Sequence, residues 1–210
     1  FFKTGKGEYA EGDIFWGLTV PQSRAIAKKF IGISLPDTKE LLTSPVHEER
    51  LIAFIILVAK YKKADEGGKK EIYELYLGHT KYINNWDLVD LTAPHLVRAY
   101  VMDKSRKPLY RLVKSSSLWR RRIAMMATFY FTRQRDFADA LQIAELLLPD
   151  KHDLIHNAVG WMLREIGNRD LAAEEAFLQV HYKSMPRTML RYAIEKFPEA
   201  KRQAYLKGTI

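Results

Sequence analysis

After residue 20, apolar side chains recur at three- and four-residue intervals, while the strict alternation that marks a strand is scarce. Pro21 stands where proline favours the first turn of a helix, which predicts a helix over Pro21 to Phe30. A short helix at Pro36 to Leu42 follows, and Pro45 introduces a longer one over Glu48 to Lys62. Gly67-Gly68 reads as a break before a helix from Lys69 to Leu77. Further helices are expected at Asn84 to Tyr100, Lys107 to Lys114, Leu118 to Phe131, Asp136 to Leu147, Asp153 to Ile166, Asp170 to Gln179, Pro186 to Lys196 and Pro198 to Leu206.

These helices pair, and the pairs recur. The more apolar member of each pair centres near Leu51, Leu88, Ile123, Ala158 and Leu190, a spacing of roughly 35 residues that marks two-helix repeats. One pair cannot bury its apolar face alone, so stacking must do it. The expectation is an all-α protein, an α-solenoid of HEAT-like two-helix repeats, running as a single domain over 1–210. Stacking in register brings the start of each second helix to one wall, which a curved solenoid makes concave. Trp86, Asp90, Arg122 and Trp161 fall in that zone on three successive repeats.

Composition narrows the function. The 210 residues suffice for a substantial core. The absence of cysteine excludes disulfides, thiolate zinc sites and cysteine nucleophiles. The longest apolar run, Leu51 to Ala59, falls well short of a membrane span. No signal peptide is visible, and a cytoplasmic location is expected. The chain opens on Phe1-Phe2-Lys3 with no initiator methionine, so a first helix is expected to be missing before it. The net charge of +9 is clustered: Lys104 to Arg135 holds ten Lys and Arg and no Asp or Glu. From His181 to Ile210, seven basic residues face only Glu195 and Glu199. Clustered positive charge points to nucleic acid, with a solubility surface or contact with acidic proteins or lipid as the other uses.

Against that background an acidic group needs a reason. Trp86 and Asp90 lie four residues apart and so share a helix face. A carboxylate costs a nucleic-acid binder affinity, which points to chemistry. Two readings of Asp90 stand: an interhelical ion pair with Arg122, or an anionic group that stabilises positive charge and positions water. Trp86 and Trp161 are core residues or aromatic faces for bases and sugars. Asp87 reads as solvated or capping, and Trp16 and Trp119 as packing residues. Arg120, Arg121 and Arg122 cannot all face one way, so one or two reach phosphate. Arg164, three residues after Trp161, shares its face and is a second phosphate clamp. Lys6 and Tyr9, in the glycine-containing segment from Lys3, are placed to grip another backbone, although that segment lacks the spacing of a nucleoside triphosphate loop. His152 and His156 have an i,i+4 spacing suited to a metal but lack a third clear ligand, so no metal site is assigned.

Three segments carry a resemblance. Trp86-Asp87-Leu88-Val89-Asp90, Leu118-Trp119-Arg120-Arg121-Arg122-Ile123-Ala124 and Ala158-Val159-Gly160-Trp161-Met162-Leu163-Arg164-Glu165 resemble, in order, the signature segments of the AlkD-like DNA alkylation repair family. The opening stretch from Lys3 to Asp13 is similar to a segment common among its members. The resemblance implies a fold of HEAT-like helical repeats and release of N3- and N7-alkylated purines from double-stranded DNA, with no cofactor. It implies that Asp90 is the catalytic carboxylate, that Trp86 and Trp161 flank the damaged nucleotide, that Arg122 completes the site and that Arg164 contacts DNA. A monomer is expected for an enzyme that wraps a duplex. An open helical wall offers no deep pocket, so limited dependence on base identity is expected. Two other readings remain: a non-catalytic repeat module for distorted or branched DNA, and a protein-interaction scaffold.

Overall fold

The computed structural model describes residues 2–102 and 104–210 of the chain. They form two compact units, Phe1–Lys104 and Ser105–Ile210. Both units are helical. Among the described residues β pairing is confined to one isolated parallel bridge, Ile14 with Val46. Among the described residues no helix is long and apolar enough to cross a membrane.

The first unit opens with turns and an extended segment that the Ile14–Val46 bridge fastens to the chain just ahead of α3. Helices α1 (Val20–Lys29), α2 (Leu35–Leu42), α3 (His47–Lys63) and α4 (Glu66–Gly78) follow, then a 3-10 turn (Thr80–Tyr82), α5 (Trp86–Asp90) and α6 (Ala93–Val101). The starts of α1 and α2 are fixed by capping boxes, Thr19 with Gln22 and Ser34 with Asp37, each followed by a proline in the first turn. α1 and α2 pack on α3, whose Leu51, Ala53, Phe54, Ile56 and Leu57 are buried. Burying each of its large apolar side chains contributes about 1.5–3 kcal/mol.

Two local predictions fail for identifiable reasons. Gly67 and Gly68 do not break the chain. They lie in the first turn of α4, where Asp65 caps the helix by accepting the Gly68 N–H at 2.8 Å. The helix expected from Asn84 to Tyr100 is two, interrupted at Leu91-Thr92. Pro94 lacks the N–H that would have bonded the Asp90 carbonyl four residues back. The Thr92 hydroxyl takes the Leu88 carbonyl and lies 2.9 Å from the Tyr76 hydroxyl. Asp90 is thereby the last residue of a five-residue helix.

In the second unit, α7 (Lys107–Val113), α8 (Leu118–Ala127), α9 (Phe129–Arg133), α10 (Ala138–Leu147) and α11 (Asp153–Gly167) precede α12 (Leu171–His181), α13 (Arg187–Ala193), a 3-10 turn (Ile194–Lys196) and α14 (Glu199–Lys207). The helix expected from Leu118 to Phe131 is also split, at Thr128, whose hydroxyl bonds the Met125 carbonyl at 2.7 Å. α7 pairs with α8, and α11 is the hub against α8, α10, α12 and α13. Close approach of α13 depends on Gly160. A Cβ there would stand 2.4 Å from the Met189 carbonyl oxygen and 2.6 Å from the Tyr192 Cβ.

At the end of α11, Gly167 makes room for Glu174, which is buried with its Oε1 unbonded. Burial, with the charge of Glu175 adding to it, pushes the Glu174 carboxyl up to about 8. The folded state therefore favours the proton, and its advantage is full below the ordinary carboxylate range and disappears as pH rises through about 8. Glu174→Gln is expected to raise stability above pH 8 by on the order of 2 kcal/mol, with little change at pH 4. Urea midpoints of both proteins across this range check it; equal midpoints at pH 9 refute it.

Candidate active site

In the first unit, the α5 turn presents Trp86 and Asp90 with both residues half-buried. Asn85 starts the turn by accepting the Trp86 N–H at 2.9 Å. Beneath it lies the fully enclosed Tyr76 phenol, whose ionisation is pushed far up by burial, against the Thr92 hydrogen bond and with the charge of Asp90 adding to the rise. Asp90 thus sits at the edge of an apolar core and retains access to solvent.

What holds this turn is a network that the sequence reading missed. Asp87, read as solvated or capping, is 5% exposed. One of its oxygens accepts the Leu88 N–H at 2.8 Å; the other lies 2.9 Å from His47 Nε2. His47 Nδ1 faces Asp13 at 3.2 Å, and Arg50 donates to Asp13 at 2.6 Å and to Asn84 at 2.9 Å. Burial alone would depress the His47 imidazole, but its hydrogen bonds to Asp13 and Asp87 and their charges prevail and push it up to about 9. Burial likewise opposes ionisation of Asp13, yet His47 and Arg50 hold it below the ordinary carboxylate range. An imidazolium between two carboxylates therefore ties the opening segment and α3 to the α5 turn. The Phe15 and Phe2 rings lie on His47 at 4.7 and 5.1 Å, and Phe2 reaches Trp86 at 6.0 Å. These partners are far apart in the chain, so no local spacing announces them.

Lys6 is exposed and Tyr9 half-buried. The N–H groups of Gly5 and Gly7, which an anion would seek, are taken by Glu8 at 2.9 Å and Glu11 at 2.7 Å. Trp16, expected to pack, is 59% exposed. Its loop is held from inside by the buried Glu48, which accepts the N–H groups of Trp16, Gly17 and Leu18 at 2.8 to 3.1 Å.

In the second unit, Trp161 is half-buried and its ring lies 4.8 Å from that of Phe129. Arg120 is exposed. Arg121 binds Asp150 at 2.6 Å and donates to the Ser115 and Ser116 carbonyls. Arg122 is 7% exposed and donates to the Leu154 carbonyl in the first turn of α11. Arg164 is ion-paired with Glu195. His152 accepts the Leu154 N–H, and His156 bonds the Asp150 carbonyl. Both histidines therefore serve the α10–α11 connection. Among the described residues no group of three His, Asp or Glu is placed to hold a metal ion.

Comparison with known proteins gives these groups a context. Residues 1–197 match the family model described as DNA alkylation repair enzyme. No curated protein matches the chain in sequence. Among solved structures, the fold is similar to that of a predicted DNA alkylation repair enzyme from Enterococcus faecalis, with a TM-score of 0.71 at 12% identity, covering 91% of this chain and 92% of that one. It is also similar to AlkD2 from Streptococcus mutans, with a TM-score of 0.62 at 18% identity over 86% and 90% of the two chains. At these identities the likeness is one of fold.

Proposed function

Since the chain belongs to the DNA alkylation repair enzyme family, we propose that it is a DNA glycosylase that hydrolyses the N-glycosidic bond of cationic N3- or N7-alkylated purines in duplex DNA. The observation that carries this reading is Asp90, a carboxylate kept at the solvent-accessible edge of the α5 turn beside Trp86, in a chain of net charge +9.

An alkylated purine already bears a positive charge, so the base leaves without protonation by a strong acid. The C1′–N9 (or corresponding) bond breaks with its electron pair going to the base, which departs neutral. Positive charge passes to the sugar as an oxocarbenium-like centre. Asp90 stabilises that charge electrostatically and orients the water that adds to C1′, accepting its proton as the new C–O bond forms. The faces of Trp86 and Trp161 attract cationic nucleotide and sugar, about 0.5–2 kcal/mol each. Arg122 completes the set in this reading, and Arg120, Lys6 and Tyr9 offer groups to the phosphate backbone. Arg121 and Arg164 would have to exchange Asp150 and Glu195 for phosphate before they could join them.

The test is release of free 7-methylguanine or 3-methyladenine from methylated duplex DNA by the purified protein. Release above the spontaneous rate supports the reading. Duplex binding without release would instead identify a non-catalytic DNA-binding module.

A further inference from the structure

The basic stretch from Lys104 to Arg135 divides into two kinds of cation. Arg106 is held by Asp136 and Asp139 and lies over the Phe131 ring; Arg121 is held by Asp150; Arg122 is buried against the Leu154 carbonyl. These arginines fasten helices together. Lys107, Arg111 and Lys114 are different: all three are exposed, and none makes an ion pair with a described residue. Their spacing puts them on one face of α7. They line a groove of about 490 Å3 together with Ser105, Pro108 and Tyr110. Among the described residues no carboxylate lines the groove. Asp139 is engaged by Arg106 and accepts from the Tyr110 hydroxyl at 2.6 Å, which also fixes the aromatic wall.

We infer that this α7 groove is a second track for the DNA backbone, in which Lys107, Arg111 and Lys114 neutralise successive phosphates of one strand. From Lys107 to Lys114 the helix rises about 10 Å, and one strand places a phosphate about every 3.4 Å along the duplex axis. Three cations on that face therefore match about three phosphates. The inference rests on duplex DNA as the substrate and adds a binding surface on the first helix of the α7–α8 pair. It is distinct from the arginines of α8 that the sequence singles out. Phosphate is the chemistry this surface suits, because Lys107, Arg111 and Lys114 bring three positive charges to one exposed helix face with no ion-pair partner among the described residues.

The experiment measures binding of the full chain to a short undamaged duplex by fluorescence anisotropy across a series of KCl concentrations. The triple variant Lys107→Ala/Arg111→Ala/Lys114→Ala is expected to keep the wild-type melting temperature and to bind at least about tenfold more weakly at low salt. The slope of log affinity against log salt should become shallower by about 2–3. Lys107→Arg/Lys114→Arg, which keeps the charge, should retain the wild-type slope. A control triple at the exposed Lys28, Lys29 and Lys39 should change the slope by less than about 1. Wild-type binding by the α7 triple variant overturns the inference. So does an equal loss in the control, or a loss confined to phosphatidylglycerol vesicles with duplex binding intact. Because the duplex is undamaged, the result does not depend on catalysis. A protein that binds through α7 and releases no base would overturn the glycosylase reading alone.

Discussion

Replacing Asp90 with Asn is expected to slow release of alkylated base by at least about a hundredfold, the usual scale for losing one preorganised electrostatic group. Affinity for duplex DNA should hold or improve, because the substitution removes a negative charge from a surface that meets phosphate. The two effects have opposite signs, which separates a catalytic carboxylate from a structural one. Single-turnover release of 7-methylguanine, alongside anisotropy on the same duplex, reads both. Asp90 closes a short helix that Pro94 terminates, next to the buried Tyr76–Thr92 pair. Asn has the same shape and leaves that packing alone, so a matching melting temperature confirms that the loss is chemical. Equal rates of release from the wild type and from Asp90→Asn would remove this residue from the mechanism.

His47→Leu should have the largest effect on stability, about 3–5 kcal/mol, because it takes the imidazolium from the buried Asp87 carboxylate and leaves the buried Asp13 with Arg50 alone. The wild-type contribution has a definite dependence on pH. The folded imidazole is pushed up to about 9 from an ordinary value near 6.5. Its stabilisation is therefore fully present below about 6.5 and is lost as pH rises through about 9. Urea unfolding should show the wild type weakening over that window while the variant, already low, shows a smaller decline there. Wild-type midpoints for His47→Leu at pH 7 would mean the network carries no net energy. Release of base should fall as well, since Asp87 anchors the turn that bears Trp86 and Asp90.

Much of this molecule was legible in its residues, for physical reasons that also mark the limits. A 3.6-residue apolar period survives any tertiary context, so the helices and their pairing could be read from positions such as Leu51, Ile123 and Ala158, all buried. Interruptions were harder to read. Pro94 within an otherwise helical stretch ended α5 at Asp90, whereas Gly67-Gly68 did not end anything because Asp65 capped the turn around them. Candidate residues in short motifs, Trp86 with Asp90 and Trp161 with Arg164, could be named because their spacing is local. The Asp13–His47–Asp87 bridge could not, since its members come from three distant segments brought together only by folding. Nor does a count of arginines say which of them the fold engages with carbonyls and carboxylates, as it does Arg121 and Arg122.

The missing side chain at Gly160 bears on any effort to make this protein hardier. Swapping a mid-helix glycine for alanine is a standard stabilising change, worth roughly 1 kcal/mol in helix propensity. Here the added methyl would collide with main-chain atoms of α13, and the helices would have to spread. Trp161 is the very next residue, so the spreading would retilt its indole. An engineer seeking heat tolerance would do better to begin at Glu174 and leave this position bare.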